Sequence, residues 1–219
     1  MLSLNKPKLD NLTNEIWKSA ERLRGKGGVG LFYYAGHGLQ VDWSNFMVPI
    51  DARLQGLADL PSQTVNMSQV IESFKAAGTR MNIVVLDACR DNPFSERAKT
   101  KGLAPLDAPP GTFLAYATAP GNVADDGPAD KTGERPGHGL YTQHLLDQLA
   151  QPGVRIEDVF KRVRLKVRQQ SQGRQIPWES TSLEDDFVFQ PAVAGTSATP
   201  PPRELAAQIE QDVQAWGRA

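Results

Sequence analysis

A single cysteine in 219 residues excludes an internal disulfide, so the fold must stand on its packing alone. No run approaches the roughly 18 apolar residues of a spanning helix, and residues 1–20 lack the apolar block of a secretory signal. These absences lead us to expect a soluble, cytoplasmic protein with no membrane partner. The formal net charge is −1, which gives no global pull toward nucleic acid. No internal repeat suggests a scaffold. What the chain does have is 40% hydrophobic and 22% charged residues, enough to bury a core and form one large domain with an appendage.

Hydrophobic spacing gives the elements. Residues 10–24 carry apolar positions at 12, 16, 20 and 23, a helical spacing that ends at "GKGG". "VGLFYYA" (29–35) is β-branched and aromatic and reads as a buried strand, with His37 at its carboxyl end. A short extended stretch, "NFMVPI", is followed by a polar loop. The next helix is predicted in "NMSQVIESFKAAG", where Val70, Ile71 and Phe74 share a face and Gly78 is the stop. "MNIVVLDAC" (81–89) is a near-continuous apolar run, as expected for a strand covered on both faces, and Cys89 lies at its end. "TFLAYAT" (112–118) repeats the theme and leads into a Gly- and Asp-rich loop. Helices are predicted over 140–151 and 156–171, and a last strand in "DFVFQ". In the second helix Ile156, Val159, Phe160, Val163 and Val167 form a stripe; the Lys and Arg residues around it read as a solvated face rather than a nucleic-acid groove.

Strands alternating with helices argue an α/β fold, a three-layer α/β/α sandwich with a mostly parallel central sheet. In such sheets ligands bind outside the carboxyl ends of the strands, where His37 and Cys89 both fall. If those two strands are neighbours, about 4.8 Å apart, an imidazole and a thiol open into one cleft.

The pair "YYAGHG" and "IVVLDACRDNPF", with the His about 50 residues upstream of the Cys, resembles the caspase-like cysteine peptidases, and among them the bacterial metacaspase-like branch. "AYATAPGNVADDG", "LYTQHLL" and "PWESTSLEDDFVF" extend the resemblance over roughly residues 10–190. Asp87 and Asp91 stand where caspases proper carry Gln and Gly around the nucleophile. The family normally opens with an earlier strand and helix, so the N-terminal strand is expected to be absent here.

The resemblance implies a cysteine-type endopeptidase with a catalytic dyad of Cys89 and His37. The N–H groups of Gly38 and Cys89 would form the oxyanion hole. Gly36 and Gly38 suit a turn that substrate approaches closely. Asp87 lies one pleat period before Cys89. With Asp125, whose rival is Asp126, it would line a pocket for Arg or Lys of a peptide or protein substrate. No organic cofactor is implied. Calcium is an alternative for "DDGPAD", since some metacaspases bind it, although the cluster lacks EF-hand spacing.

Taken singly, each residue has a blander reading. A lone Cys is more often a small buried hydrophobe, a lone His a structural hydrogen bonder, and Asp87 a backbone cap. His138 and His144 are read as structural. The coupling of two motifs at the right separation favours catalysis. The rival reading is a catalytically silent interaction or signalling module on the same fold, which would have no chemical need for all of these groups. In the polar loop 95–111, Arg97, Lys99 and Lys101 fit self-cleavage under the proposed preference. The peptidase domain is read as 1–190, followed by a Pro/Ala/Ser/Thr-rich linker (191–202) and a short helical tail or start of a further module (203–219).

Overall fold

A computed structural model describes residues 2–5, 8–89, 103–119 and 139–192. In chain order the elements are β1 (Leu2–Asn5), α1 (Leu9–Leu23), β2 (Val29–Val41), β3 (Ser44–Val48), a 3-10 turn (Leu57–Asp59), α2 (Leu60–Gln63), β4 (Val65–Asn66), α3 (Met67–Ala76), β5 (Met81–Cys89), β6 (Thr112–Tyr116), α4 (Leu140–Leu149), α5 (Ile156–Gln170) and β7 (Trp178–Thr181). The main sheet path runs β4-β3-β2-β5-β6-β7, with β1 pairing β2 off that path. Its centre is parallel, β2 with β5 and β5 with β6, and its flanks β3, β4 and β7 are antiparallel.

Alternation along the central strands explains the layers. Phe32, Tyr34, Val84, Leu86, Ala88 and Leu114 face one way and pack with α1 (Leu12, Ile16, Ala20) and α3 (Val70, Ile71, Phe74). Met81, Ile83, Val85, Phe113 and Ala115 face the other way, against α4 and the stripe of α5. On that second face Phe113 and Phe160 meet at 4.8 Å between ring centroids, tilted by 41°. Each large apolar side chain buried this way contributes about 1.5–3 kcal/mol. The α/β sandwich with a parallel centre is therefore built on two separate apolar layers.

Three sequence expectations are corrected. A strand does precede α1: Leu2–Asn5 pairs in parallel with Phe32–Ala35, on the edge of β2 that β3 takes over from His37 onward. Four residues are too few to give a periodic signal, and an unpaired edge of β2 supplies the template. His37 does not end its strand, because β2 continues to Val41 in a hairpin with β3. The last strand is not "DFVFQ" but Trp178–Thr181, antiparallel to β6; around residue 188 only isolated bridges form, Arg155 with Val188 and Pro152 with Gln190. Phe187 and Phe189 instead pack edge-on and cover the α5 side, so their hydrophobicity signals packing rather than a ladder.

Candidate active site

The ladder between β2 and β5 runs from Val29–Met81 to its final pair, His37 with Cys89. Two parallel strands lie about 4.8 Å apart, so these backbone positions are direct neighbours. The same residue, His37, is also the first of the antiparallel register with β3, opposite Val48. It thus stands where β2 leaves one partner and joins another, and its side chain is exposed. Gly38, the first residue beyond the β5 ladder, is buried.

Both glycines of the motif are set by close approach. A Cβ at Gly38 would stand 3.1 Å from the Cβ of Ala88 and 3.1 Å from Cδ2 of Leu103. Leu103 is held there by the buried Asn45, whose amide donates to the Ala104 carbonyl (2.9 Å) and accepts from the Ala104 N–H (2.7 Å). At Gly36 a Cβ would come within 2.7 Å of the Tyr34 hydroxyl and 2.9 Å of its Cζ. Nothing larger fits without displacing that ring.

Asp87 pairs in register with Ala35 and is half-buried. Thr142, at the start of α4, donates its hydroxyl to Asp87 Oδ2. Because that hydroxyl has one proton, the 2.6 Å contact between Tyr33 and Thr142 must carry the proton of Tyr33. A directed chain results, Tyr33 to Thr142 to Asp87. Burial and the negative charge of Asp87 push the Tyr33 phenol up to about 12, against a smaller opposing effect of the Thr142 bond. Tyr141, the residue before Thr142 on α4, is buried, with a hydroxyl that has no hydrogen-bond partner among the described residues. Burial first, then the charges of Asp87, Tyr33 and Glu179 in that order, hold it well above the ordinary phenol range. Glu179 on β7 is itself ion-paired with Arg164 of α5, whose Nε also donates to the Pro177 carbonyl at 3.0 Å.

Of the residues singled out from sequence, the structure brings His37, Gly38, Asp87 and the backbone of Cys89 to one end of the β2–β5 pair. Asp125, Asp126, His138, the "DDGPAD" cluster and Arg97, Lys99 and Lys101 lie outside the described residues. His144 is on α4, its ring bonded to Gln170 of α5 at 2.7 Å. Sequence reasoning missed Tyr33, Tyr34, Asn45 and Thr142. The two tyrosines read as core because nothing in a strand pattern tells a buried ring from a ring with a working hydroxyl. Thr142 lies in a helix whose apolar spacing carries no sign of a working hydroxyl.

In this parallel-centred α/β sandwich the last rung of the β2–β5 ladder sets a His and a Cys side by side. The Caspase domain family model matches residues 2–188, and the chain belongs to that family of cysteine peptidases. No curated protein matches the chain. Among the described residues no helix is long and apolar enough to cross a membrane.

Proposed function

We propose that the chain is a cysteine-type endopeptidase of metacaspase-like preference, cleaving peptide bonds after Arg or Lys with Cys89 as nucleophile and His37 as general acid and base. The observation that carries this reading is the register of His37 with Cys89, with Asp87 one pleat period before the cysteine. In the proposed reaction the Cys89 thiolate attacks the carbonyl carbon and the carbonyl oxygen becomes an oxyanion, met by the N–H groups of Gly38 and Cys89. Collapse of this adduct breaks the C–N bond as His37 gives its proton to the leaving amine. Water, deprotonated by His37, then hydrolyses the thioester and regenerates the thiolate.

Asp87 supports the basic preference. Its carboxylate is half-buried and oriented by Thr142, which sets a negative charge beside the His37–Cys89 pair in surroundings of lower dielectric than water. Such a field favours a cationic side chain and opposes Asp. Asp125 is proposed as the second acid of that pocket. The substrate is then a peptide or protein with a basic residue at the cleaved bond.

Fluorogenic peptides ending in Arg, Lys or Asp test the proposal. The wild type should cleave the Arg and Lys peptides and leave the Asp peptide nearly untouched. Cys89→Ala should lower turnover about a thousandfold or more, and Asp87→Asn should cost about a hundredfold in kcat/KM on the Arg peptide. Faster cleavage of the Asp peptide would overturn the specificity, and an active Cys89→Ala would overturn the mechanism.

A further inference from the structure

Tyr34 is fully buried, yet its hydroxyl is not an idle polar atom in the core. It donates toward the His37 carbonyl at 2.9 Å and the Val48 carbonyl at 3.0 Å, which belong to residues directly opposite each other in the β2–β3 register. One proton shared between two acceptors is a three-centre bond. It sits at the point where β2 makes its last pair with β5 and its first pair with β3, so it ties together the terminal rungs of two ladders.

The ring reaches those carbonyls by passing against Gly36, where any Cβ would collide with it. Packing alone would be satisfied by phenylalanine. A buried hydroxyl is stabilising only through the groups it bonds, and here both are backbone carbonyls of the paired strands, those of His37 and Val48. Burial also keeps the phenol protonated far above its ordinary range, opposed only in part by the Val48 bond, so the donor persists throughout the pH range of an assay.

We infer that Tyr34 is a positioning residue for the proposed dyad, its hydroxyl clamping β2 to β3 at His37–Val48 and thereby fixing where the imidazole and the Gly38 N–H stand. The inference rests on the reading of His37 as acid and base. Tyr34 touches no substrate; it acts through the backbone.

Tyr34→Phe keeps the ring and deletes the clamp. Expected is a fall in kcat of about tenfold to a hundredfold on the Arg-ending peptide, the scale of a small misplacement of reacting groups, with KM changed by less than about twofold. The pH profile of Cys89 alkylation by iodoacetamide should shift toward that of His37→Ala. A lower melting temperature with kcat and the alkylation profile unmoved would overturn the inference and leave Tyr34 a packing residue. His37→Ala in the same series separates the two levels. If it moves both readouts and Tyr34→Phe moves neither, the clamp alone is wrong; if it moves neither, the dyad is wrong and the clamp with it. Should Tyr34→Phe fail to fold, 3-fluorotyrosine at position 34 preserves the volume and alters the donor. A shifted alkylation profile then supports the clamp, and an unchanged profile rejects it.

Discussion

Tyr33 and Tyr34 stand side by side in β2, yet strand alternation sends their rings to opposite faces of the sheet, and their hydroxyls serve different partners. Tyr34 enters the α1–α3 layer and bonds the main-chain carbonyls of His37 and Val48. Tyr33 packs against the α4–α5 layer and begins the hydroxyl chain that ends on Asp87. One face therefore holds the backbone that carries the histidine, and the other orients a charged side chain beside it. The same contrast runs along the second face: at the Met81 end of β5 it is wholly apolar, and at the Asp87 end it is polar and charged.

Truncating the apolar half gives the largest effect expected from this contrast. Phe113→Ala removes a fully buried ring that stacks on Phe160, and should lower unfolding free energy by about 3–5 kcal/mol. The folded fraction should retain its ratio of Arg-peptide to Asp-peptide cleavage, measured in parallel with urea unfolding. A changed ratio would mean that the two halves of the face are not separable.

Thr142→Val sharpens the comparison from the polar end. It preserves volume while breaking the hydroxyl chain, and kcat/KM on the Arg peptide should fall about tenfold with the Asp peptide unaffected. Equal losses on both peptides would show that Thr142 supports the site in general and not Asp87.

A third effect is in alkaline stability. Tyr33 has its phenol at about 12 in the folded protein against an ordinary 10.0, so between those values the unfolded chain releases its proton first. Its contribution is fully present below pH 10 and is lost as pH rises toward 12. Urea midpoints taken between pH 9 and 11.5 should fall more steeply for wild type than for Tyr33→Phe; parallel curves would argue against the burial of that hydroxyl beside Asp87.

Much of this architecture is legible in the residues. The apolar runs at 29–35 and 81–89 mark the central strands because both of their faces are covered, and the α5 stripe from Ile156 to Val167 is buried as its spacing predicts. The pairing of His37 with Cys89 follows from two parallel strands joined by a helical crossover. Local patterns do not reveal β7. Trp178–Thr181 becomes a strand because β6 offers it an edge, and its side chains are exposed or half-buried and show no strong alternation. Nor do they reveal Thr142, whose role arises only when α4 folds across the end of β5, 55 residues away in sequence from Asp87.

Covalent capture tests the central claim most directly. An Arg-ending peptidyl chloromethyl ketone, followed by mass spectrometry of the digested protein, should place one adduct on Cys89, formed much more slowly in His37→Ala and less readily with an Asp-ending reagent. Labelling that ignores residue 37 and the identity of the terminal side chain would contradict the account.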